Sequence, residues 1–325
     1  MTEWRYWFAE NKNTLMAVVL FVIMFAIYAS NHPAGFTANV VQTAANKATL
    51  LAFVAMAQSL VIITAGIDLS VGMILVLANC LASWIVVGTA LETSLGIIAV
   101  LVSGALCGAV NGLIVIFGRL QPIVTTIATG AMFYGLALFL RPFPGGAVNE
   151  TLADFMTSKA FGFFPMSFVA LAAVVLVVWV PYSRSVIGRA SYAAGSSEHA
   201  AYMSGMPVKM AKFTAYVLSG LLSAIGGLYL TFFSYTGEAA YASGNTYTLF
   251  SIAAVVLGGV SLMGGRGSAI GAIFGALAFR TIGDLLFVFD FDPLWQPLFQ
   301  GVVLLLAVSI SAFGLFRVRN KLEWF

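Results

Sequence analysis

LAFVAMAQSLVIITAGIDLSVGMILVLANCLASWIVV, residues 51–87, sets two long apolar runs on either side of a short glycine-bearing break, TAGIDLSVGM, residues 64–73. Backbone freed by such a break is costly against lipid, so at membrane depth it must line protein or water. Within the break, Gly66, Asp68, Ser70 and Gly72 suit a turn between two helices, and Asp68 is the natural cap for a helix beginning at Leu69. The same carboxylate could instead line a path through the membrane, and the residues leave both readings open.

Outward from this stretch the composition stays unlike that of a water-soluble protein. Of the 325 residues, 61% are hydrophobic and 8% charged, where soluble domains carry about 25% charged residues. Apolar runs predict an all-α integral membrane protein with about ten spans, near 14–30, 48–66, 69–88, 95–117, 122–140, 165–182, 212–234, 246–263, 268–289 and 295–315. Broken helices are expected at the glycine-rich breaks. No polar segment is long enough for a second domain, so residues 1–325 form one membrane domain. Arg5 and Lys12 before the first run, with Ser30 after it, resemble a secretory leader; aromatic flanks at Trp4, Tyr6 and Trp7 and the following spans favour an uncleaved first helix. Cys80 and Cys107 lie inside apolar runs and read as packing residues.

With the amino terminus inside, Arg5, Lys12, Arg119, Arg184, Arg189, Lys209, Lys212, Arg266, Arg317, Arg319 and Lys321 fall on the cytoplasmic side. Only Lys47, Arg141 and Lys159 fall outside, which supports an even number of spans and cytoplasmic termini. The outer loops carry Glu150, Asp154, Glu238, Asp290 and Asp292, solvated ends that a soluble partner could meet.

Three further places depart from the apolar pattern. The polar segment of about 183–211 is cytoplasmic in this topology; Ser196 or Ser197 can cap a short helix there, with Glu198 in its first turn, Gly205 at its end and Pro207 beyond. His199, Met203 and Met206 fall on one face, suited to a groove on a partner or to lipid headgroups. GVSLMGG, residues 259–265, faintly repeats GIDLSVG, residues 66–72; Gly258, Gly259, Gly264, Gly265 and Arg266 there predict a tight turn into the next helix. Arg280 and Asp284, four apart in a span, are expected to neutralise each other. Gln58, Asn79, Asn111, Thr125, Thr126 and Tyr134 could line a cavity or join helices.

GIDLSVG (66–72), YAAGSSEHAAYMSGM (192–206) and GGVSLMGGRG (258–267), in this order, resemble the permease subunits of bacterial ABC importers for ribose, xylose and arabinose, over nearly the whole chain. The second segment is similar to the family's YAIGGNEEAARLSGI, with Ser196 in place of a glycine and Tyr202 in place of a basic residue. The resemblance implies a multi-pass protein of the bacterial inner membrane, two permease copies (identical or homologous), a cytoplasmic ATPase dimer and a periplasmic sugar-binding protein. It also implies that Gly195, Ser196, Glu198, His199, Met203 and Gly205 couple to the ATPase. ATP and magnesium would sit on that partner; this chain has no GxxxxGK[ST] phosphate loop and is expected to bind no cofactor, metal or nucleic acid. The implied activity is import of a monosaccharide by alternating access, without bond chemistry. Competing readings are a permease of the same superfamily for nucleosides or branched-chain amino acids, an ion-coupled secondary transporter using Asp68, Arg280 and Asp284, and a scaffold. With His32 and His199 the only histidines and no nucleophile–base spacing, a membrane-embedded enzyme is the least supported class.

Overall fold

A computed structural model describes residues 3–306 and Ser309, with side chains from residue 11 onward. The side chains of Trp4, Arg5, Tyr6 and Trp7, the end of the expected span 295–315, and Arg317, Arg319 and Lys321 lie outside the described residues.

The chain is almost wholly helical. Its long helices are α1 (Glu3–Asn31), α2 (Ala38–Ile63), α3 (Val71–Ile85), α4 (Ala90–Gly112) and α5 (Pro122–Leu140). An excursion from the helical bundle follows, with the short helix α6 (Glu150–Thr157) and the two-stranded antiparallel pair β1 (Lys159–Ala160) and β2 (Phe164–Pro165). Next come α7 (Met166–Val174), a π turn over Val175–Trp179, α8 (Val180–Arg184), α9 (Val186–Ser196) and α10 (Glu198–Met203). The remainder is α11 (Val208–Ser234), α12 (Tyr241–Leu257), α13 (Ala269–Val288) and α14 (Pro293–Leu306).

Among the described residues seven helical segments are long and apolar enough to cross a membrane, against the ten spans expected. Two of the other expected spans coincide with shorter helices, α3 of 15 residues and α12 of 17, and the third with α14, which is described from Pro293 to Leu306. The reason is clearest at α3. At about 1.5 Å per residue it rises roughly 22 Å, and the non-helical stretch before it, residues 64–70, supplies the missing depth. That stretch is enclosed by protein, with Thr64, Asp68 and Ser70 buried, as irregular backbone in a bilayer must be. α12 ends early, at Leu257, because Gly258 and the left-handed Gly259 (φ +78°) start the glycine-rich turn.

α2 is the central post. Of its apolar window 94% is buried, against 17% for α1, so α2 is walled by protein while α1 faces outward along most of its length. α11 packs across α2, α3 and α4, and α13 packs between α1 and α2. Small residues allow the tightest crossings: a Cβ on Gly104 or Gly108 of α4 would overlap backbone or Cβ atoms of α11.

Candidate functional site

Two clusters are built from the segments singled out by sequence, one inside the bundle and one at its end.

The inner cluster surrounds the break between α2 and α3. Helix α3 starts at Val71, two residues later than expected, and Ser70 is its N-cap without a side-chain cap bond of its own. Asp68 acts just ahead of it: Oδ1 accepts the Ser70 backbone N–H at 2.9 Å and the Ser70 hydroxyl at 2.6 Å. Oδ2 accepts the Ser219 hydroxyl from α11 at 3.2 Å. Asn111 on α4 donates to Ser70 Oγ at 2.7 Å, and Thr129 on α5 donates to Asn111 Oδ1 at 2.5 Å. The Leu69 N–H is taken by Thr126 Oγ1 at 2.9 Å. All these polar side chains are buried. The result is one hydrogen-bonded file, Thr129 to Asn111 to Ser70 to Asp68, that ties α4, α5 and α11 to the break. Gly72 is required for packing: a Cβ there would overlap the Gly244 carbonyl of α12, whose Thr248 hydroxyl accepts the Gly72 N–H at 3.1 Å.

Of the polar residues flagged by sequence, Asn111 and Thr126 belong to this file, while Asn79 joins α3 to Thr231 and to the Thr236 carbonyl nearer the other end. Tyr134 stacks edge-on against Tyr241. Gln58 and the Thr125 hydroxyl are buried without a hydrogen-bond partner among the described residues. Thr129, Ser219 and Thr248 were not anticipated. Lone hydroxyls in apolar helices ordinarily bond their own preceding turn, so nothing in the sequence distinguishes those that also reach across.

The second cluster lies where the expected coupling segment meets the bundle. α10 begins as expected, with Ser197 as N-cap accepting the Ala200 N–H, and ends before Gly205, whose φ is +74°. Glu198 pairs with Lys212 of α11. His199, Tyr202 and Met203 are exposed. Met206 departs from the expected face: the turn at Gly205 swings it back against Ala194, Ala201 and Val208. α9 delivers Gly195 and Ser196 to the glycine-rich turn. There the Gly265 N–H donates to the Ile63 carbonyl, the last residue of α2, at 2.9 Å. A Cβ on Gly195 would overlap that same carbonyl oxygen, and one on Gly265 (φ +70°) would overlap Ser196 Oγ. One on Gly264 (φ +82°) would press on Ala65. Tyr192 closes the joint by donating to the Gly267 carbonyl at 2.7 Å. Segments from residues 63–65, 192–196 and 264–267 are therefore in van der Waals contact, three residues from Asp68 at the nearest.

Arg280 lies near enough to Asp284 for its charge to act on the carboxylate, as expected, without a direct salt bridge between them. Asp284 makes its ion pair with Lys47 of α2, at 3.7 Å, and Arg280 forms none among the described residues. The four-residue spacing does put both on one face of α13, but α2 packs against that helix and brings Lys47 closer. Among the described residues no cluster of three or more His, Cys, Asp or Glu side chains could hold a metal ion.

Comparison with known proteins fits this geometry to a family. Residues 40–308 match the family described as "Branched-chain amino acid transport system / permease component". The ribose import permease protein of Bacillus subtilis is 35% identical over 261 residues, covering 79% of this chain and 80% of that protein. The ribose import permease protein of Escherichia coli K12 is 32% identical over 315 residues, 94% and 95% of the two chains. A fructose import permease protein of Rhizobium meliloti is 32% identical over 305 residues, 91% and 84%. No solved structure matches. A multi-pass helical chain with these motifs and this coverage belongs to the family of bacterial inner-membrane import permeases that includes those for ribose and fructose, the non-catalytic membrane subunits of ABC importers.

Proposed function

We propose that this chain is the translocation subunit of an ATP-driven importer that carries a monosaccharide into the cytoplasm by alternating access. It crosses the membrane ten times with both termini inside, α3 and α12 being shorter crossings. Two copies, identical or homologous, stand over an ATPase dimer that holds ATP and magnesium, and a periplasmic sugar-binding protein delivers cargo from the other side. The positive-charge asymmetry of the loops supports the orientation, and the ribose and fructose import permeases among its relatives support a sugar as cargo.

The observation that carries this reading is the joint of Gly195, Gly265 and Ile63. α10 exposes His199, Tyr202 and Met203 to a partner, and α9 runs from it directly into that joint. A push on α10 therefore reaches the end of α2, and three residues further on it reaches Asp68. Packed backbone atoms this close have no slack to absorb a displacement. In this account Asp68 holds the broken helix together, and the hydrogen-bonded file from Thr129 rearranges as the central path opens to the other side.

The test is reconstitution of the chain with its copurifying ATPase and binding protein in proteoliposomes, with labelled ribose, fructose, xylose, a nucleoside and leucine offered in turn. ATP-dependent sugar uptake that needs all components is the expected result. Uptake of leucine or nucleoside instead would transfer the cargo assignment to the other branch of the superfamily. Accumulation by the chain alone, driven by an ion gradient, would overturn the importer reading.

A further inference from the structure

A cavity of about 640 Å³ opens beside the glycine-rich turn, between the beginning of α1 and the beginning of α13. Its size lies within the range of about 300–1,000 Å³ typical of small-ligand sites. The wall is polar where it faces the loop side: Lys12, Asn13, Tyr192, Arg266 and Ser268 line it. Both cations are exposed, and neither forms an ion pair among the described residues. Asn13 and Tyr192 are turned away to carbonyls, Gly259 at 3.4 Å and Gly267 at 2.7 Å, which fixes the wall's shape and leaves its charge to Lys12 and Arg266.

Beyond the lining residues the two helices that flank the cavity continue with apolar side chains. Met16 and Val19 follow on α1 and Ile270 follows on α13, all exposed and apolar. A cavity carrying two exposed cations, on helices whose following turns expose apolar side chains, matches an amphiphile with an anionic head. Basic pockets between membrane helices bind phospholipid headgroups through the same division of labour.

We propose that this cavity binds the phosphate headgroup of an anionic phospholipid, held by Lys12 and Arg266, with an acyl chain running past Met16 and Ile270. The lipid would bridge α1, at the periphery, to the turn whose Gly265 contacts both α2 and α9. It would thus brace the joint from the membrane side. The proposal stands on the cavity and its charges and does not depend on what cargo the chain carries.

The test is native mass spectrometry of the full chain, purified in mild detergent, delipidated, and titrated with phosphatidylglycerol, phosphatidylethanolamine and inorganic phosphate. The wild type is expected to retain phosphatidylglycerol in preference to phosphatidylethanolamine, and K12A/R266A to bind it about ten- to thirty-fold more weakly. R184A/K209A, which removes two cations outside the cavity, is expected to bind as the wild type does. Thermal unfolding without added lipid checks that both variants remain folded. Equal phosphatidylglycerol retention by K12A/R266A and the wild type would overturn the proposal, as would an equal loss in R184A/K209A. Saturation by inorganic phosphate with no preference between the two lipids would assign the site to a soluble anion instead and overturn the lipid assignment.

Discussion

Gly195→Ala is a small perturbation with opposing consequences that the structure can weigh. In isolation alanine should stabilise helix α9 by about 1 kcal/mol, since glycine is the poorer helix former. Here the added Cβ lands on the Ile63 carbonyl oxygen and 2.5 Å from the Gly265 nitrogen, the two atoms joined by the 2.9 Å hydrogen bond. Forcing them apart costs about 1–3 kcal/mol in overpacking, and weakening that buried bond adds about 1 kcal/mol. The net is destabilising by about 1–3 kcal/mol at the joint. As about 1.4 kcal/mol is a factor of ten in an equilibrium, sugar moved per ATP hydrolysed should fall at least about fivefold if the joint transmits the motion of α10. The assay is uptake and hydrolysis measured on the same proteoliposomes, with thermal unfolding alongside. Gly135→Ala is the control, because nothing lies within 4 Å of its Cβ, and it should be neutral or slightly stabilising. If Gly195→Ala matched Gly135→Ala in stability and in coupling ratio, the close contact and the mechanism built on it would both be wrong.

Asp68→Asn should fold normally, because the amide oxygen can still accept from Ser70 and the amide N–H can donate to the Ser219 hydroxyl. Asp68→Leu strands two buried Ser70 donors and should cost about 2–4 kcal/mol, visible as a lowered unfolding midpoint; equal midpoints for the two variants would deny the bracing role. Lys47→Met should cost on the order of 1–2 kcal/mol, since the Asp284 side chain is 12% exposed and Lys47 is 36% exposed, between the surface and buried extremes. Adding Asp284→Leu should recover much of that loss, and strictly additive losses in the double-mutant cycle would show that the pair does not couple. Glu198→Lys should leave stability within about 1 kcal/mol, as its bond to Lys212 is exposed, yet it should weaken ATP-driven uptake; full uptake would remove Glu198 from the coupling surface.

Much of the architecture was legible because lipid imposes strong rules. A carboxylate and two glycines inside an apolar run announce a break, and the break lies at residues 64–70. Ser197, Gly205 and Pro207 punctuated α10 as capping chemistry requires. Which spans are fully helical was less legible, because hydropathy registers apolar length and ignores whether that length is helical; residues 64–70 contribute depth without helix. At Arg280 and Asp284 spacing alone gave part of the arrangement. A four-residue spacing reports neighbours on one helix and is blind to a lysine arriving from another, so Lys47 could not be foreseen. Thr129 shows the same limit: its hydroxyl contacts the Thr125 carbonyl of its own helix at 3.1 Å as well as Asn111 across the interface, and only the first is implied by sequence.

The three glycine-bearing segments that carried the family resemblance lie far apart in the chain, and sequence gave no reason to place them together. Close backbone approach leaves only one trace in a sequence, the glycine itself, and the chain contains 32 of them. Once Gly195 and Gly265 are seen to press on the same Ile63 carbonyl region, their substitutions become one perturbation rather than two. Gly265→Ala places a Cβ on Ser196 Oγ and holds a left-handed backbone that alanine resists, so alone it should open the joint as Gly195→Ala does. A joint already open has little more to lose. The double variant should therefore transport no worse than the weaker single, with an interaction energy of about 1–3 kcal/mol. Independent, multiplicative losses in coupling ratio would mean that the two glycines serve separate contacts, and that motion of α10 reaches the broken helix by another route.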